Sequence, residues 1–266
     1  MKAFYFGERE KALFGAYHPS LARKPRDAGV VLCYPFGYEY IKSHRAFRHL
    51  AKQLSQSGFH VLRFDYFGTG DSSGDAQDGS VPQWLEDISI AVAELRDMAS
   101  VRRICLVGFR LGSTLAAVAA SRLREVDALA LWDPIVRGEA LVNELVGVEG
   151  AEDQTPAAYC FQPGAECATL GIKGFPLSDE MIKGMAGLDL LAIPDFGVGR
   201  IAVVASKHRE EYELLMHHLG NQRAPATYRC VESAVTWDAA DGFSSAVLLP
   251  EVQECVVSFL EDALLG

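Results

Sequence analysis

The stretch Gly108-Phe109-Arg110-Leu111-Gly112 limits what this chain can fold into more than any other. Before it, Arg103-Ile104-Cys105-Leu106-Val107 is a short apolar run of buried-strand type. After it, Ser113 to Ala120 is rich in small residues and reads as a helix that packs closely on a sheet. Two glycines flanking the centre let a strand turn sharply into a helix and hold the middle side chain at the top of the sheet. In the G-x-S-x-G form of this turn the middle residue is an attacking serine. Here it is an arginine, whose guanidinium stays protonated at any physiological pH and cannot attack a carbonyl. The frame is kept and the nucleophile is missing.

Strand and helix signals alternate on either side. Phe4 to Gly7 and Ala12 to His18 form an opening hairpin around the charged turn Glu8-Arg9-Glu10-Lys11. Val30 to Tyr34 is a buried strand, and a helix is expected from about Ser43 to Gln56, with Ser43 as its cap and Phe47, Leu50, Ala51 and Leu54 on one face. Strands follow at His60 to Asp65, Ala128 to Trp132, Ile201 to Ala205 and Ala226 to Val231. Helices are expected at Val81 to Met98, with Pro82 in the first turn, and at Pro250 to Leu265. This order predicts an α/β fold with a mainly parallel sheet of about eight strands covered on both faces. Residues 136–199 interrupt it with helix-like pieces at Glu139 to Leu145 and Ser178 to Met185. We expect a cap insertion there, over the carboxyl ends of the strands, with residues 1–135 and 200–266 forming the core.

At 266 residues and nearly half apolar, the chain can bury one large core. A net charge of −10 argues against nucleic acid or an anionic membrane as partner. No run is long enough to span a bilayer, and charge follows Met1 to Gly7 too soon for a signal peptide, so the expected location is cytoplasmic. The six cysteines are scattered without a C-x-x-C pair and read as reduced structural thiols, Cys33 alone lying near the elbow. No metal-ligand spacing is visible, and neither a metal nor another cofactor is expected.

Three stretches carry a family resemblance: Tyr34-Pro35-Phe36-Gly37-Tyr38-Glu39-Tyr40-Ile41-Lys42-Ser43-His44-Arg45, Leu62-Arg63-Phe64-Asp65-Tyr66-Phe67-Gly68-Thr69-Gly70-Asp71-Ser72, and the elbow itself. With them the chain resembles the α/β-hydrolase superfamily along almost its whole length. Within it, the chain is similar to the serine-aminopeptidase-like branch and to hydrolase-like proteins associated with exosortase systems. The resemblance implies an oxyanion hole at the backbone N–H groups of Leu111 and Phe36 and a nucleophile at position 110, which is arginine. It implies an acid after the strand ending at Ser206, where Lys207-His208-Arg209-Glu210 offers no aspartate; Asp133 stands at a second position that some lipases use. The histidine should follow the last strand, yet Glu232 to Leu249 contains none, and Trp237-Asp238 occupies that loop. Ser113 and Ser72 remain as substitute nucleophiles.

Arg110 at a helix N-terminus suits a carboxylate or phosphate ligand, or else a structural ion pair to Asp133 or Asp238. Asp133 or Asp238 could serve as a base, Asp133 otherwise being a turn residue before Pro134. His44 could act as acid or base, or simply lie at the surface, and Tyr34, Phe36, Leu111, His44 and Trp237 are the expected substrate contacts. These residues point first to an atypical protein that binds an acidic, carbonyl-bearing or carrier-tethered acyl small molecule under the cap. A possible homodimer, it would catalyse proton transfer (isomerisation, epimerisation or cyclisation) rather than hydrolysis. The alternatives are a non-catalytic binding or scaffold protein, and a thioesterase or esterase with an unrecognised nucleophile.

Overall fold

The computed structural model describes residues 1–146, 169–172, 175–232 and 249–264. Its strands are β1 (Lys2–Phe6), β2 (Leu13–His18), β3 (Ala28–Cys33), β4 (His60–Phe64), β5 (Arg103–Phe109), β6 (Val126–Trp132), β7 (Thr169–Ile172), β8 (Phe175–Ser178), β9 (Val198–Ala205) and β10 (Ala226–Cys230). Its helices are α1 (Tyr38–Gln56), α2 (Val81–Ala99), α3 (Leu111–Leu123), α4 (Gly138–Val146), α5 (Asp179–Ala186), α6 (Glu210–Gly220) and α7 (Pro250–Ala263).

Eight strands form one sheet in the order β1-β2-β4-β3-β5-β6-β9-β10. β1 and β2 pair antiparallel, as do β2 and β4, and every other neighbour in the sheet is parallel. All six residues of β3 are buried, and so are six of the seven in each of β5 and β6. That is why these strands read as unbroken apolar runs: helices cover both faces, α1 packing with α7 and α2 with α3. At the edge, β10 alternates between half-buried and exposed positions. The order places β4 on one side of β3 and β5 on the other. A parallel sheet that reverses direction there opens a crevice at the carboxyl ends of β3 and β5, where ligands bind in folds of this kind.

Helix α1 begins at Tyr38, five residues before the expected start. Gly37, at φ 64°, makes the turn, and Glu39 in the first turn suits the helix N-terminus, so the chain is helical before Ser43. Ser43 is not the cap: its hydroxyl donates to the Tyr40 carbonyl at 3.3 Å inside the helix. β9 starts at Val198, two residues before the expected return to the core at residue 200. Within residues 136–199, backbone bonds tie Gly138 N–H to Leu188 O at 2.7 Å and Leu190 N–H to Val136 O at 2.9 Å. The same stretch carries an antiparallel hairpin, β7 with β8, that the sequence pattern did not reveal.

Candidate functional site

The elbow has the geometry that its glycines promised. Arg110 links β5 to α3 at φ 51° and ψ −122°, and its N–H donates to Trp132 O of β6 at 2.9 Å. A Cβ on Gly112 would lie 2.2 Å from the Cys33 carbonyl oxygen, and one on Gly108 would lie 2.3 Å from that of Gly112. The helix therefore sits hard against the end of β3, and neither glycine tolerates a side chain. Positive φ is costly for an arginine, about 1–3 kcal/mol. The surrounding packing maintains it and aims the side chain inward, leaving Arg110 1% exposed.

That guanidinium is held by two carboxylates. Nε donates to Glu39 Oε1 and Nη2 to Glu144 Oε2, each at 2.7 Å. Burial works against the charge, but Glu39 and Glu144 outweigh it and raise the arginine's pKa further. The expected ion pair with Asp133 is replaced by these: α1, starting early, brings Glu39 to the elbow, and α4 brings Glu144. Glu211 on α6 lies in the same field, its pKa raised by burial against the pull of Arg209 and Arg110. The Tyr212 hydroxyl, one residue on, is buried and has no hydrogen-bond partner among the described residues; burial, with Asp133 nearby, pushes its pKa up.

Asp133 follows β6 at φ 43° and is 4% exposed. Its Oδ1 accepts the Ser206 N–H at 2.7 Å and its Oδ2 accepts the Ser206 hydroxyl, so it ties β6 to the end of β9. Leu111, nearly fully buried, opens α3, and half-buried Phe36 stands in the loop between β3, the strand next to β5, and α1. Trp237 and Asp238 lie outside the described residues.

Tyr34 and His44 fall elsewhere. Their rings stack at 6.0 Å and both line a cavity of about 230 Å³ with Arg63, a cavity that Arg110, Leu111 and Phe36 do not line. Burial and Arg63 together lower the pKa of His44.

The substitute nucleophiles are locked in place. The Ser113 hydroxyl is fully buried against the carbonyls of Gly108 and Trp132, at 2.6 and 2.9 Å. Ser72 donates to Asp65 O and accepts from Phe14 N–H. Burial pushes the Cys33 thiol up to about 12, far from the thiolate that reactivity needs. No group of three or more potential metal ligands occurs among the described residues, and none of their helices is long and apolar enough to cross a membrane.

Sequence reasoning missed Glu39, Glu144, Ser206 and Tyr212. A usable signal existed only for Glu39, an acid two residues past the turn glycine, where a helix N-terminus favours it.

Residues 38–152 match the family model described as serine aminopeptidase, S33. Human Protein ABHD12B is 37% identical over 117 residues; the match covers 41% of this chain and 30% of that relative's length. Est1E from Butyrivibrio proteoclasticus, solved with ferulic acid bound, has a TM-score of 0.71 and 17% identity, over 99% of this chain and 100% of that one. Mouse alpha/beta hydrolase domain-containing protein 10 gives a TM-score of 0.61 at 16% identity, with 98% of each chain covered. Strand order and elbow agree with these structures, and the chain has the α/β-hydrolase fold.

Proposed function

We propose that this chain is a non-hydrolytic member of the α/β-hydrolase superfamily that binds a small carboxylate- or acyl-bearing molecule at the elbow, beneath residues 136–199 acting as a cap. The observation that carries the reading is the clasp on Arg110: the position of the attacking oxygen holds a buried cation bridged to Glu39 of the core and Glu144 of the insertion. Of the two glutamates, Glu144 has the more exposed side chain, 34% against 19% for Glu39. An incoming carboxylate exchanges with Glu144 and takes its hydrogen bond, with Arg110 and the Leu111 and Phe36 amides stabilising its charge. Loss of the Glu144 contact frees α4, so that ligand binding and cap position are linked.

Hydrolysis is disfavoured by the same arrangement, because acyl-enzyme formation needs both a nucleophile and a base. With Ser113, Ser72 and Cys33 occupied or inert, we expect no labelling by a fluorophosphonate probe and no turnover of p-nitrophenyl esters or acyl thioesters. Either signal would refute the reading. Hexanoate, as a simple carboxylate probe, should bind about tenfold more tightly to Glu144→Gln than to the natural chain, and not to Arg110→Met. Equal affinity in all three would refute it too.

A second reading is proton transfer on the bound ligand, with Glu211, its pKa raised by burial, accepting the α-proton and the buried Tyr212 hydroxyl, kept protonated, donating to the enolate oxygen. Asp133 is less suited to be its base, because both its oxygens already accept from Ser206. Exchange of α-hydrogens of a bound acyl probe into deuterated water, lost in Tyr212→Phe, tests this reading.

A further inference from the structure

Arg63 lies in β4 and is 5% exposed, yet no carboxylate among the described residues pairs with it. Its Nη1 donates to the Tyr34 hydroxyl at 2.7 Å, Nε to His18 Nε2 at 3.2 Å, and Nη2 lies 3.6 Å from the Met1 sulfur. All three partners are neutral. Burying a guanidinium without a counter-ion is costly, and chains that keep one commonly use it. Arg63 lines the 230 Å³ cavity beside Tyr34 and His44, where Arg48 adds a second positive charge. His18 and His44 both respond to the Arg63 charge, which lowers each pKa after burial has done so.

The same cavity is lined by Asp65 and Asp71. The Asp65 carboxylate accepts from the Tyr40 hydroxyl at 2.9 Å and from Asp71 N–H at 3.1 Å, and neither aspartate pairs with Arg63. Arg63 and Asp65 are two apart along the strand direction and face the same side, so their backbones stand about 7 Å apart. Among the described residues, the lining thus carries two arginines without carboxylate partners and two carboxylates not joined to them. A simple anion would satisfy the arginines and meet the aspartates unfavourably, and a simple amine would do the reverse. We propose that this cavity is a second binding site, distinct from the elbow, and that its ligand is a short amino-carboxylate whose carboxylate meets Arg63 and Arg48 and whose ammonium meets Asp65 and Asp71. At about 30 Å³ per water-sized group the space holds roughly seven to eight heavy atoms.

The test is calorimetric titration of the full chain carrying Arg110→Met, whose elbow takes no carboxylate, with β-alanine and 4-aminobutyrate, using propionate and propylammonium as single-charge controls. Millimolar binding of at least one amino-carboxylate is expected, with both controls at least tenfold weaker. Arg48→Gln and Asp71→Asn, both at exposed positions, should each weaken binding at least fivefold, and Arg63→Met should abolish it. Because Arg110 is methionine in these titrations, the binding they read is separate from the site proposed at the elbow. Propionate binding as tightly as the amino-carboxylates, no binding by any probe, or affinities insensitive to the Arg48 and Asp71 changes would overturn the proposal. Those two variants decide the matter even where Arg63→Met does not fold.

Discussion

Two buried arginines, one in β4 and one just past the end of β5, face opposite situations. Arg110, 1% exposed, is bridged to two glutamates from different parts of the chain; Arg63, 5% exposed, has a tyrosine, a histidine and a thioether for company. A buried charge is tolerable when its partners are excellent, and removing one partner then exposes the full cost of desolvating the other. Arg110 therefore acts as a fastener whose loss is felt throughout the site, whereas Arg63 already bears an uncompensated cost that a ligand could relieve. The first is structure that a ligand must break into, and the second is structure that a ligand would complete.

The comparison is most exposed at Arg110. Arg110→Ala leaves Glu39 and Glu144 without their cation and opens a cavity, and should cost about 3–4 kcal/mol, read as a fall in the urea midpoint. Relief of the positive φ does not help, because alanine is strained there as well. Adding Glu39→Gln and Glu144→Gln to Arg110→Met should recover more than half of that loss. If the triple variant is no more stable than Arg110→Ala, the two carboxylates are not the source of the cost.

The next test is pH. His18 has a folded pKa lowered from 6.5 to about 4, first by burial and then by Arg63. Between those values the unfolded chain holds a proton that the folded one refuses. The stability from this group is therefore complete above pH 6.5, declines as pH falls, and levels off below about 4. Allowing for partial access to solvent, the loss should be about 2 kcal/mol. It should shrink in Arg63→Met, where one of the charges opposing protonation is gone. A pH profile identical in the two proteins would mean that Arg63 does not set the local potential.

How much of this was legible in the sequence depends on how far apart the partners lie. The elbow, its flanking strands and the mainly parallel sheet could be read from glycine placement and apolar runs, since these are local signals. The start of α1 was misplaced because Tyr38-Glu39-Tyr40-Ile41 has no helix-like periodicity of its own, and the turn depends on Gly37. The hairpin in the insertion was hidden by Pro176, which normally argues against a strand but is tolerated in this two-stranded pair. The clasp was invisible for a different reason. Glu39 and Glu144 lie 71 and 34 residues from Arg110, and no local pattern announces which of many acids will arrive. The nearer-looking partner, Asp133, is already committed to Ser206.

That commitment supplies a smaller effect. Ser206→Ala removes a hydroxyl donor from a buried carboxylate while leaving the backbone N–H bond, and should cost about 1.5–2 kcal/mol by thermal denaturation. Asp133→Asn should cost a similar amount, and the double variant little more than either alone, because the two residues share the interaction. Full additivity would show that Asp133 has other dependents and would reopen its use as a base.

The smallest expected change has the opposite sign. Arg63→Met replaces an uncompensated cation with an apolar side chain of similar length, and should raise stability by about 1 kcal/mol in the absence of ligand. Part of the gain is given back because the Tyr34 hydroxyl loses its donor. Arg110→Met, the same exchange at the other arginine, should be clearly destabilising, so the pair of variants measures what two carboxylates contribute to one buried charge. Equal losses at both positions would erase the distinction: Arg63 would then be as well compensated as Arg110, and the cavity beside it would have no unmet charge to offer a ligand.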